Sequence, residues 1–216
     1  MSAAPVAVRQ THKVPPPYSG QPFVLAASPR AGNCLEAARV FCAAFNRHFS
    51  LAGGKNTPLA PVLLRDYRVL PCAACGLCEH PASACPQAAA DDSRALFASF
   101  LNAPLLALAA PVYFYHLPAQ LKALLDRCQF YYRAAERGEL ILPRRKAFII
   151  LLGAREKGTA LFKGSLLSLS LALAPFNLHM AAPLLLRGLD GPGDLLQRAD
   201  CLEQIKAYGK TAAAVC

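Results

Sequence analysis

Two stretches, Phe23–Ala27 and Pro104–Ala110, are apolar at every position, and Pro61–Leu64, Lys146–Leu152 and Leu178–Leu186 are nearly so. Short apolar runs without alternation predict strands buried on both faces. Between them the spacing turns helical. Leu35, Ala38, Cys42, Phe45 and Phe49 fall on one helix face, and Gly53-Gly54 ends that helix. Asp91-Asp92-Ser93 starts a helix to about Leu101, with acids where the helix dipole favours them. Pro118, suited to a first helical turn, opens another to about Cys128. Thr159–Ala174 and Asp194–Val215 are the last two. Strands alternating with helices predict an α/β fold, a parallel sheet covered on both sides. We read one domain over 21–216, preceded by a polar, Pro15-Pro16-Pro17-bearing extended arm at 1–20.

One stretch breaks the alternation. Cys72-Ala-Ala-Cys75-Gly-Leu-Cys78, closed by Cys85-Pro86, is inserted after the second strand in a loop spanning 71–90. Three thiols at three-residue intervals and a fourth shortly after suit a cubane iron–sulfur cluster. Zinc, whose usual framework is two separated pairs, and free or disulfide-linked thiols are the alternatives. Cys42, Cys128, Cys201 and Cys216 lie in predicted helices or at the chain end and are not expected as ligands.

Composition adds limits. The chain has 216 residues, 55% of them hydrophobic, nine cysteines and a net charge of +10. An odd cysteine count without a visible signal peptide argues against a secreted disulfide scaffold and for a reducing cytoplasm. The basic residues are scattered, unlike a nucleic-acid arm, so no nucleic-acid partner is expected. The apolar stretch Leu161–Leu186 is interrupted by Lys163, Pro175, Asn177, His179 and Pro183, short of the ~20 apolar residues a membrane span needs.

Ligands of an open parallel sheet bind at the carboxyl ends of its strands. Three loops leave there. Ser28–Cys34 offers a hydroxyl, a guanidinium, an amide and backbone N–H groups before a helix, a cradle for a phosphate dianion. It lacks the Lys-Ser/Thr ending of a nucleoside-triphosphate loop. Pro111–His116 has aromatic groups that can flank a flat ring, and Gly153–Gly158 can take the ring's other edge. His116 has no acid or nucleophile beside it in sequence. Asp126 and Arg127 are expected to pair on the surface or to bond a neighbouring loop.

Taken in order, Ala27-Ser-Pro-Arg-Ala-Gly-Asn33, the cysteine run, Asp91-Asp92, Pro111-Val-Tyr-Phe and Ala119-Gln-Leu-Lys-Ala-Leu-Leu-Asp-Arg127 resemble the NADPH-dependent FMN reductase family, and more narrowly its iron–sulfur flavoprotein branch. The resemblance implies a flavodoxin-like doubly wound five-stranded sheet of order 2-1-3-4-5 and non-covalent FMN. It implies Ser28, Arg30, Gly32, Asn33 and Cys34 around the phosphate, and Pro111, Val112, Tyr113, Phe114 and Gly153 at the isoalloxazine. Cys72, Cys75, Cys78 and Cys85 would ligate a [4Fe–4S] cluster. It further implies NAD(P)H or a ferredoxin-type donor, a homodimer or homotetramer, and no catalytic side chain, since the flavin carries the chemistry. Cys34 stands where relatives have Ser or Thr, Ala27 replaces a common Gly, and Arg155-Glu156-Lys157 replaces a Gly-rich loop. Two other readings stay open: an NAD(P)H:flavin or quinone reductase whose cysteine loop is zinc-bound or empty, and a non-enzymatic FMN- and metal-binding regulator.

Overall fold

The computed structural model describes residues 21–53, 57–80 and 84–216, so the expected arm lies outside the described residues. In chain order the elements are β1 (Phe23–Ala26), α1 (Asn33–Leu51), β2 (Val62–Leu63), α2 (Gln87–Ala90), α3 (Ser93–Asn102), β3 (Leu105–Pro111), α4 (Ala119–Asp126), α5 (Gln129–Glu136), β4 (Arg145–Gly153), α6 (Lys163–Leu173), β5 (Leu178–Met180), β6 (Leu184–Arg187) and α7 (Ala199–Ala213). All strand pairings are parallel, in the order β2-β1-β3-β4-β5, with β6 also on β4. The fold is flavodoxin-like with one extra strand.

The apolar runs are explained by two cores. In β3, Leu106, Leu108 and Ala110 face the layer of α3, α4 and α6, while Leu105, Ala107 and Ala109 face α1 and α7. β4 divides the same way between Ala147, Ile149, Leu151 and Phe148, Ile150, Leu152. Neither face meets water, so neither carries polar residues. α1 and α7 cross backbone to backbone at Gly209, where an added Cβ would lie 2.7 Å from the Phe41 carbonyl oxygen.

The expected strand Leu178–Leu186 is two strands. Arg145 pairs with Leu178 but Ile150 pairs with Leu184, so the edge gains one residue over β4 and bulges around Pro183. Proline lacks the ladder donor and is tolerated at such an edge. The Ile149 N–H, between the two pairings, donates instead to the Tyr208 hydroxyl at 3.1 Å. Burial pushes the Tyr208 phenol up to about 12, keeping it neutral. Tyr208→Phe should destabilise the protein by about 1–3 kcal/mol, the cost of a stranded buried donor. An unchanged urea midpoint would show that another group satisfies Ile149.

The expected helix from Pro118 stops at Asp126, and a second, unforeseen helix, α5, resumes at Gln129. α6 starts at Lys163, four residues later than expected, and no described helix is long and apolar enough to cross a membrane.

Candidate functional site

An open cleft lies at the carboxyl ends of β1, β3 and β4, the place where an open parallel sheet binds its ligands. One end is the Ser28–Cys34 turn. β1 makes its last ladder bond from Ala27 N to Ala109 O at 2.8 Å, and the chain then turns into α1. No side chain caps α1. Its first-turn N–H groups and the positive end of its dipole are thus available to an anion. Arg30 is exposed beside them, while the Ser28 hydroxyl accepts the Arg30 N–H at 3.4 Å. Cys34 is buried in the α1–sheet core although it also touches the cleft. Burial, opposed by Arg30, pushes its thiol up to about 12, so it is a neutral thiol at physiological pH.

Much of the opposite side is apolar. Pro111, Val112 and Tyr113 come from the end of β3, and Leu152 and Ala154 from β4. After β3 the chain reverses within four residues, with Tyr113 and His116 exchanging two backbone bonds of 2.9 Å. Phe114 (φ 48°) and Tyr115 (φ 64°) occupy the left-handed region at the tip. That geometry is usually given to Gly or Asn, and a larger side chain there costs about 1–2 kcal/mol. The turn is held from outside: Arg155 donates to the Tyr115 hydroxyl at 2.9 Å, and His116 Nε2 lies 3.0 Å from the Ser168 hydroxyl.

Eight residues expected at a flavin therefore line the cleft: Ser28, Arg30, Gly32, Asn33, Cys34, Pro111, Val112 and Tyr113. Phe114 does not; its side chain is fully in solvent, at 102% relative exposure. Gly153 sits behind the wall, where an added Cβ would meet Leu161 Cδ2 at 2.8 Å. Ala154, from the expected Gly153–Gly158 loop, lines the cleft, and Leu152, Leu189, Asp190 and Pro192 do so without having been singled out. The signal for the last three was present: Gly188–Gly193 is a fourth loop leaving the sheet at a strand's carboxyl end, after β6.

The cysteine loop is anchored elsewhere. Asp91 and Arg127 form an ion pair of 2.8 Å with side chains 0% and 2% exposed. Asp91 also accepts from Leu70 N at 2.8 Å, from Ser93 N at 3.0 Å and from the Ser93 hydroxyl at 2.6 Å. Arg127 donates to Leu70 O at 3.2 Å and to the Ser93 hydroxyl at 2.9 Å. Leu70 and Asp91 are the two ends of the loop, so this buried group closes its stem. Of the two expected roles, Arg127 takes the neighbouring loop, while Asp126 pairs with Lys122 on the surface. Further out, Arg137 donates to Cys78 O at 3.0 Å and Arg133 pairs with Glu79 at 3.0 Å. Those arginines belong to α5 and the segment leading into the amino end of β4, whereas the cleft lies at the carboxyl ends.

Cys72 and Cys75 are exposed, and Cys78 and Cys85 are half-buried. Ala74 (φ 49°) and Gly76 (φ 73°) are left-handed, giving the tight wrapping that thiols three apart require. Among the described residues, however, no three Cys, His, Asp or Glu side chains are placed to hold one metal ion. The donor set fits a thiolate-bound centre in chemistry, but its geometry is not preformed.

A doubly wound parallel sheet with an uncapped helix N-terminus over a strand-end cleft defines a flavodoxin-like α/β protein. The sequence model of the NADPH-dependent FMN reductase family matches residues 23–173. The chain belongs to that family, whose members are FMN-dependent NAD(P)H oxidoreductases. Among solved structures, an NAD(P)H:quinone oxidoreductase from Methanothermobacter marburgensis is 21% identical, with TM-score 0.59 over 90% of this chain and 94% of its own. An azoreductase from Bacillus anthracis Sterne is 16% identical, with TM-score 0.57 over 91% and 97%. An FMN-dependent NADH-azoreductase from Bacillus anthracis Ames Ancestor, in complex with FMN, is 12% identical, with TM-score 0.55 over 90% and 99%. At these identities the likeness establishes the fold. No curated protein sequence matches the chain.

Proposed function

We propose that the cleft binds FMN and that the protein is an NAD(P)H-dependent flavoprotein of the iron–sulfur branch, relaying electrons from NAD(P)H or a ferredoxin-type donor to an acceptor. The observation that carries this reading is the uncapped α1 N-terminus opening on a strand-end cleft whose opposite side carries Pro111, Val112, Leu152 and Ala154. Bound FMN supplies the redox chemistry, accepting hydride and releasing electrons. The chain supplies the setting. The first-turn N–H groups of α1 and Arg30 hold the phosphate, with the Ser28 hydroxyl beside them. Pro111, Val112, Tyr113, Leu152 and Ala154 shield the ring from water. No side-chain acid or base is required.

Equilibrium titration with FMN, followed by NAD(P)H oxidation under anaerobic conditions, tests the reading. One equivalent of FMN should bind and be reduced. Arg30→Ala should weaken FMN by roughly tenfold to a hundredfold, since a charge-assisted bond contributes about 1.5–3 kcal/mol. Unchanged affinity in a folded Arg30→Ala protein moves the phosphate away from this turn.

The finer part of the proposal is a [4Fe–4S] cluster on Cys72, Cys75, Cys78 and Cys85. Four soft donors on one anchored loop, with left-handed Ala74 and Gly76, support it. The loop would have to close around the cluster, coupling its local folding to metal binding. The loop rests on α5 while the cleft opens at the other end of the strands, so a homodimer or homotetramer is the arrangement that would bring one copy's loop to another's cleft. The second reading is a flavin or quinone reductase with a zinc-bound or empty loop. Zinc, iron and sulfide analysis separates the two.

A further inference from the structure

Asn33 sits in the turn where a flavin phosphate is expected, yet its side chain is committed elsewhere. Its Oδ1 accepts the Gly193 N–H at 3.1 Å and the Leu195 N–H at 3.2 Å. Its Nδ2 donates to the Gly191 carbonyl at 2.9 Å. An amide has two acceptor lone pairs and two N–H donors, so three of its four bonds go to a loop about 160 residues away in sequence and to Leu195 just after it.

That loop, Gly188–Asp194, has three glycines among seven residues, two of them at positive φ: Gly188 (68°) and Gly193 (91°). Such a segment has much conformational entropy to lose, and the ladder holds only its start, through the Leu189 N–H to the Gly153 carbonyl at 3.2 Å. What fixes it is Asn33 at one side and the Asp194 carboxylate at the other, which accepts from Asp190 N at 2.9 Å and Gly191 N at 2.7 Å. The fixed loop then presents Leu189, Asp190 and Pro192 to the cleft.

We infer that Asn33 is a positioning residue: its side chain holds the Gly188–Asp194 loop as the fourth wall of the cleft and acts on the cofactor through that wall, not by binding phosphate. The backbone of Asn33 still begins α1 at the anion site, so one residue joins the phosphate turn to the C-terminal wall. The inference rests on the reading that a flavin occupies the cleft.

The test uses the full chain. In flavin-free Asn33→Ala, hydrogen exchange at the Gly193 and Leu195 amides should accelerate about tenfold or more, because both lose their acceptor. Asn33→Asp keeps an acceptor for both amides but turns a second acceptor toward the Gly191 carbonyl, so it should restore the protection only in part. Flavin titrations supply the second arm. Leu189→Ala alone should weaken FMN, and adding Asn33→Ala should weaken it no further than the larger single effect, since both act on one wall. Unchanged exchange at Gly193 and Leu195 in Asn33→Ala overturns the inference, as does full additivity of the two affinity losses. If the unsubstituted protein binds no FMN, the cleft reading fails, and the exchange arm still decides whether Asn33 holds the loop.

Discussion

Arg127→Ala should be the most damaging single substitution at the cysteine loop's stem, costing about 3–5 kcal/mol of folding stability. The variant would leave the Asp91 carboxylate, 0% exposed, with no counter-charge, and the Leu70 carbonyl and Ser93 hydroxyl with one bond fewer. Against the 5–15 kcal/mol that holds a typical domain together, this is a large share. Arg127→Lys should recover only part of it, because an ammonium does not reproduce the planar fork that reaches all three acceptors. Burial raises the Asp91 pKa, but the Ser93 hydroxyl, the Leu70 and Ser93 N–H groups and Arg127 outweigh it and hold the carboxyl below its ordinary range. A group depressed in the folded state stabilises above its unfolded pKa and loses that contribution as pH falls through the folded value. The parent protein should therefore lose stability on acidification below the ordinary carboxylate range, and the Arg127→Ala variant should lose less. Urea unfolding of both at neutral and acid pH measures it. A difference under about 1 kcal/mol at neutral pH would mean the pair is solvated like a surface ion pair.

Cys85→Ala, or Cys75→Ala, should abolish cluster assembly while FMN stays bound. Three thiolates do not complete a four-cysteine cubane site, and neither cysteine lines the flavin cleft. After anaerobic reconstitution the parent protein should carry iron and acid-labile sulfide, and the variants should carry little of either. The stem should survive in the variants, because Asp91, Ser93 and Arg127 fix Leu70 independently of the thiols. Stoichiometric zinc without sulfide in the parent, or a cluster that persists in both variants, would move the assignment to the quinone-reductase reading.

These two results probe regions that differed in how readable they were. The cysteine spacing is a local pattern and stands out in the sequence; where the loop rests does not. Nothing local distinguishes Arg127 from Asp126, yet one is buried against Asp91 and the other pairs with Lys122 in water. The choice follows from which face of α4's last turn meets the chain at Leu70, 57 residues earlier.

The sequence alone determined the framework. The short apolar runs beginning at Phe23, Leu105 and Ala147 read as strands covered on both sides, because they are too short for buried helices and no alternation left a face for water. The Ser28–Cys34 turn was legible as a strand-to-helix turn at the sheet's carboxyl end, because that needs only a strand, a short donor-rich turn and a helix. Tertiary structure alone decided the rest. It turned the Asn33 amide toward a loop about 160 residues away, and it made that loop a wall of the cleft. It split the edge strand at Pro183 and gave the freed Ile149 N–H to Tyr208. Periodicity records which face of an element is buried. It does not record which distant backbone group a buried polar side chain will meet, because that partner is chosen by packing, and packing joins residues that no sequence window contains.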